Sequence, residues 1–245
     1  MRLFALSLAI AIAGCGTPGT TRPASSTGGA TSPRISAGAT PSPGVPRSVW
    51  VLTPLGLNVR SDASTQAPRV TTAPEGTQLD VSESRTVDNQ LWLHVKTPAG
   101  NEGWVLNDPT LVISVPVYMH IDTALGYRIM FPQSWTITSG NPTSFASPPS
   151  DPQGAVMSVQ QAADVSKLLQ TPTSAGKEIR QESPIEVYGK TTFMTVYQLS
   201  SGGFEYAVKV QWAADRAYLF DYRQVARPQP DTSLFKQLLI SIAIA

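Results

Sequence analysis

Cys15, His94 and His120 are the side chains with which this chain could do nucleophilic or metal chemistry, and their number limits both. A thiol nucleophile works with an adjacent base. Cys15 is the only cysteine, and it sits at the end of an apolar N-terminal run rather than beside a patterned strand or helix. A catalytic zinc takes three protein ligands, and the two histidines fall in separate patterned segments, each on an expected strand. No Gly-x-Ser-x-Gly elbow is present, and no glycine-rich phosphate loop precedes a helix. Glu178, Glu182, Glu186 and Glu205 could in principle pair for glycoside hydrolysis, but they read as outward strand or loop positions. The expectation is a chain with no catalytic residues, no metal site and no cofactor, and therefore not an enzyme.

The chemistry left to Cys15 is lipidation. It follows Ile12-Ala13-Gly14, after an apolar run over residues 3–13 with Arg2 before it. Eleven residues are too few for a spanning helix, which needs about 20, and they suit the apolar region of an export signal. A lone exported thiol cannot make an internal disulfide. The run resembles a bacterial lipoprotein signal peptide. The resemblance implies removal of residues 1–14 and lipidation of Cys15 with palmitate-type chains. The partner of Cys15 is then membrane lipid, and the protein is anchored on the extracytoplasmic face of the cell membrane. Two chains on one thioether hold a protein stably, where one holds it only marginally.

Residues 15–47 read as this cysteine followed by a tether. Of the 32 residues in 16–47, 23 are Gly, Ser, Thr or Pro and none is acidic. Such a composition cannot bury enough apolar surface to offset chain entropy. A flexible segment of this length reaches roughly 30 Å. The net charge of +1 and the lack of a dense Lys/Arg stripe exclude nucleic acid as a main partner.

The elements that must position any binding residues begin at residue 48. Val49-Trp50-Val51-Leu52, Leu57-Asn58-Val59-Arg60, Gln78-Leu79-Asp80-Val81-Ser82, Leu91-Trp92-Leu93-His94-Val95-Lys96 and Gly103-Trp104-Val105-Leu106 are short runs, mostly of period two, with turn residues between them. They predict a small antiparallel barrel. "LNVRS" at 57–61, Pro74-Glu75-Gly76-Thr77, Leu91-Trp92-Leu93-His94-Val95 and Gly103-Trp104-Val105 occur in an order similar to the bacterial SH3-like domain, over residues 48–113. Asp62 stands where that family has a glycine, and the expected loop 84–89 is longer than in its tightest members. The resemblance implies a binding module for cell-wall peptide or a protein partner. Its candidate groove residues are Asn58, Arg60, Asp62, Trp92 and Trp104.

From residue 117 a second pattern starts. Strands are expected at 117–121, 127–132, 135–138 and 155–160, with a Pro/Ser/Asn-rich loop over 139–153 and a short helix over 164–170. Three alternating runs follow, at 185–187 continued by 191–199, at 205–212 and at 217–222, with hairpin turns at 200–203 and 214–215. Asp231 or Thr232 is a candidate cap for a final helix. Leu234, Phe235, Leu238, Leu239 and Ile242 make its apolar stripe, with Lys236 and Gln237 facing away. Tyr127-Arg128-Ile129-Met130-Phe131-Pro132-Gln133-Ser134-Trp135 and the ending at 234–242 are similar to the PsbP-like lipoprotein domains, which implies an accessory or assembly subunit.

The fold class expected is mostly β with an α+β part: a small SH3-like barrel over 48–115, then an antiparallel sheet with a C-terminal helix packed on it over 116–245. The function expected is a membrane-anchored, noncatalytic binding protein for cell-wall peptide or an envelope protein. The alternative is an accessory or assembly subunit of a membrane-bound complex, acting through residues 116–245.

Overall fold

A computed structural model describes residues 44–151, 154–168, 177–200, 202–225, 229 and 231–244, and for 177–183 the backbone alone. The described part is mostly β, in antiparallel sheets, with one α-helix.

Alternation builds the first sheet. Its strands are β1 (Ser48–Val51), β2 (Leu57–Arg60), β3 (Arg69–Ala73), β4 (Gln78–Val87), β5 (Gln90–Lys96), β6 (Glu102–Leu106) and β7 (Val112–Ile113), in the order β3-β2-β6-β5-β4-β1-β7. Leu57, Val59, Leu79, Leu93, Val95 and Val105 turn inward and form one core with Val49, Val51 and Val112. Val45 packs against that core, and the Arg47 carbonyl accepts a hydrogen bond from Val81 N (2.8 Å). The segment 84–89 is not the loop expected. β4 runs on to Val87, and a two-residue turn, Asp88–Asn89, leads into β5. Both turn residues have positive φ (49° and 61°), which Asp and Asn tolerate and which matches the twist of a hairpin. β3 was not expected at all.

The second half has two sheets. β8 (Val117–Asp122), β9 (Tyr127–Pro132) and the short C-terminal β17 (Ala243–Ile244) form one, in the order β17-β9-β8. The other has seven strands: β10 (Thr136–Thr138), β11 (Thr143–Ala146), β12 (Ala155–Ala162), β13 (Lys177–Val187), β14 (Lys190–Gln198), β15 (Phe204–Ala213) and β16 (Arg216–Gln224). Its order is β10-β11-β12-β16-β15-β14-β13. The run expected to continue from 185 through 199 instead folds back at Tyr188–Gly189, both at positive φ (46° and 75°). Tyrosine in that position is not a usual hairpin signal, so the turn was illegible. β11 lies inside the expected loop 139–153, with Phe145 fully buried. The Asn141 side chain holds the approach to β11 in place by bonding both backbone groups of Gln161.

The terminal helix α1 (Ser233–Ile240) lays Phe235, Leu238 and Leu239 into the main core. Its ring Phe235 stacks on Tyr222 of β16 at 5.2 Å between centroids. Asp231 Oδ1 accepts from Ser233 N (3.0 Å), and the Thr232 side chain makes no cap bond. Gln237 does not face away: its amide donates to the carbonyls of Pro109 and Val112, both at 3.3 Å. The expected helix over 164–170 is a 3₁₀ turn, Val165–Lys167, capped by Asp164, and 169–170 lie outside the described residues.

A separate apolar cluster joins the two halves. Trp50 and Leu52, outside the barrel core, meet Ile113, Val117 and Met130, with Leu234 and Ile240 of the helix region packed against them.

Candidate ligand groove

In β2 the pleat that sends Leu57 and Val59 into the barrel sends Asn58 and Arg60 to its outer face. β3 runs antiparallel beside it. Asn58 opposes Thr72, whose hydroxyl donates to the Asn58 Oδ1 (3.2 Å). A register shift after Val59 leaves Val70 as the extra residue and sets Arg60 directly opposite Arg69. The Arg60 guanidinium also donates to the Ala67 carbonyl (2.8 Å), which fixes its direction.

These residues border an open cavity of about 520 Å³. Its apolar lining is Leu55, Leu57, Trp92, Leu106 and Leu111. Thr53, Asn58, Thr65 and Thr72 supply hydroxyls and an amide. Leu55 is 93% exposed. Gly56, at φ +78°, lets the wall close in, because a Cβ there would stand 2.9 Å from the Ala73 carbonyl oxygen. A second cavity, about 410 Å³, shares Leu55, Gly56 and Thr72 with the first and continues to Glu75, Met119 and Arg128.

The five candidate residues fall into two places. Asn58, Arg60 and Trp92 line the first cavity together. Trp92 is only 3% exposed and Trp104 5%, because Ala63, in the segment between β2 and β3, packs over both. Trp92 thus meets the cavity along a narrow edge, and Trp104 does not line it. Asp62 holds that cover down: its Oδ1 accepts from Ala63 N (2.8 Å) and from the Arg85 guanidinium (3.0 Å). Arg85 in turn lies over the Trp104 ring at 4.3 Å. Asp62 and Trp104 therefore belong to a latch beside the groove. Leu55, Arg69 and Thr72 were missed. The segment 69–73 has only β-branched residues as a strand signal, with no inward–outward alternation to mark it.

His94 takes no part in the groove. It meets the Ser82 hydroxyl at 2.8 Å and the edge of Trp104. His120, in β8, sits against Phe145 and Tyr127, with Asp122 Oδ2 at 3.8 Å. Glu186 is exposed, as expected. The side chains of Glu178 and Glu182 lie outside those described. Glu205 is not outward: it is 1% exposed on the second face of β15, with Arg223 at 3.5 Å. That face is itself partly covered, since Leu168 packs on Ala207, Ala217 and Leu219.

The groove lies within a stretch that a family model recognises. Residues 55–108 match the bacterial SH3 domain family. This SH3 domain contributes the whole lining of the first cavity apart from Thr53 and Leu111. Among solved structures, the chain is similar to the solution structure of cyanobacterial PsbP (CyanoP) from Synechocystis sp. PCC 6803, over 53% of this chain and 92% of that one, at 15% identity and a TM-score of 0.37. No curated protein matches the chain.

Proposed function

We propose that this chain is an extracytoplasmic lipoprotein, lipidated at Cys15, whose SH3 domain holds an extended cell-wall peptide without chemical change. The observation that carries the binding role is the open groove on the outer face of β2 and β3. Apolar walls, hydroxyls, an amide and two guanidinium groups line it together. A strand-like peptide laid there can bury side chains on the leucines and Trp92 while its backbone meets Asn58 and the threonines. The segment 16–43 gives this domain its distance from the membrane, since Val45 and Arg47 already belong to the barrel, and Cys15, outside the described residues, gives the anchor.

The test of binding is retention of the full chain on purified peptidoglycan. Thr72→Trp is the blocking variant, since position 72 is exposed on a strand where an aromatic is well tolerated. The parent is retained and Thr72→Trp is not. Equal retention of both rules out this groove. Intact mass of the native protein tests the anchor: it carries the added acyl chains and lacks residues 1–14.

A second reading has one specific observation behind it. β8 is an edge strand of its sheet, and it exposes Tyr118, Met119 and Ile121. Edge strands with exposed apolar side chains pair with other chains. Under this reading the second half docks to a membrane-bound complex, and crosslinks from β8 to membrane proteins support it where wall retention fails.

A further inference from the structure

Arg60 and Arg69 face each other across β2 and β3. Like charges directly opposite in an antiparallel pair are destabilising. Both line the same cavity, and among the described residues lining it there is no carboxylate. The acidic side chains nearby are committed elsewhere: Asp62 to Arg85, and Glu75 to Arg128. Neither Arg60 nor Arg69 has an ion-pair partner among the described residues. The sheet therefore holds two cations together, next to Leu57, Leu106 and Trp92, without an anion of its own.

We infer that the ligand's anchoring group is a carboxylate held between Arg60 and Arg69, so that the SH3 domain selects acidic peptides. The planar fork of a guanidinium matches the two oxygens of a carboxylate. The hydrogen bond from Arg60 to the Ala67 carbonyl pre-orients one fork, and Arg69, exposed, closes from the other side. A bound carboxylate converts the repulsion of the pair into attraction, and the apolar lining strengthens that attraction by excluding water. Asn58 and Thr72, paired with each other one step along the same two strands, continue the face on which the peptide backbone would lie.

This inference rests on the reading of the groove as a peptide site, and the probes separate the two. Binding of the full chain is measured by calorimetry to a synthetic pentapeptide with a free Glu side chain and a free C-terminus, and to the same peptide with both groups as amides. The acid peptide binds about tenfold more tightly than the amide, the scale of one charge-assisted hydrogen bond. Arg69→Gln lowers acid-peptide affinity by about the same factor and leaves the amide peptide unchanged. Because Arg69 is exposed and the change relieves its repulsion with Arg60, this variant melts no lower than the parent. Equal binding of both peptides, blocked by Thr72→Trp, overturns the carboxylate inference and leaves the groove. Binding of neither overturns both readings. Tighter, Arg69-dependent binding of a glycerol-phosphate oligomer would replace the peptide with an anionic polymer and overturn the inference.

Discussion

Glu75, in the turn before β4, is ion-paired with Arg128 of β9, while its other carboxylate oxygen, Oε1, is buried with no hydrogen-bond partner among the described residues. Burial raises the Glu75 pKa above its ordinary value, and Arg128 only partly opposes this. The folded state thus holds this proton more tightly than the unfolded chain does. The group's contribution to stability is fully present below the unfolded value near 4.5 and is lost as pH rises through the raised folded value. Glu75→Gln removes that dependence. Urea unfolding from pH 4 to 7 should show the parent losing stability relative to the variant as pH rises, and parallel curves would refute it.

Asp221 is raised as well. Burial and the neighbouring Glu205 raise its pKa to about 7, with Arg223 opposing. A hydrogen bond between the two carboxyl groups requires a shared proton. Stability from this pair is present below the ordinary Asp range and declines as pH climbs to about 7. Asp221→Asn supplies a permanent donor and should stabilise the protein by about 1–3 kcal/mol at pH 8. At pH 4 the variant and parent should match. A constant difference across that range would place the titration elsewhere.

Gly103 opens the Gly-Trp-Val motif of β6 for a steric reason. A Cβ there would collide with the Arg60 carbonyl oxygen and stand 2.9 Å from Val59 Cγ1. Gly103→Ala forces β6 away from β2 and should cost about 1–3 kcal/mol, as overpacking does. Thermal melting measures it, and an unchanged midpoint would mean that the strands have slack.

Met130, 1% exposed, sits in the cluster that joins the barrel to the second half, with Trp50, Leu52, Ile113 and Val117. The two halves should therefore unfold in a single calorimetric transition. Met130→Ala should cost about 2–5 kcal/mol and broaden or split that transition. Two separate transitions in the parent would show that the cluster does not couple the halves.

Much of the fold was legible because it repeats locally. The pattern Leu57-Asn58-Val59-Arg60 names β2 and its two faces, and the stripe of Phe235, Leu238 and Leu239 names the buried side of α1. Turns with unusual residues were not legible, as at Tyr188–Gly189. Neither was β3, whose Val70-Thr71-Thr72 has β-branched residues without alternation. Of the groove, Asn58, Arg60 and Trp92 could be named because they stand in patterned strands. Leu55, Arg69 and Thr72 could not, because they lie in segments without such a pattern.

The order of residues alone determined which side chains leave each strand on the same side, since the pleat has a period of two and a helix one of 3.6. It also determined the chemical inventory: one thiol and two imidazoles. What lies across from an outward residue was decided by tertiary structure. A bulge brings Arg69 opposite Arg60, the segment carrying Ala63 closes over Trp92 and Trp104, and the covered second face of β15 buries Glu205. Each of these depends on contacts between residues distant in the chain or on a local break in register, and periodicity encodes neither.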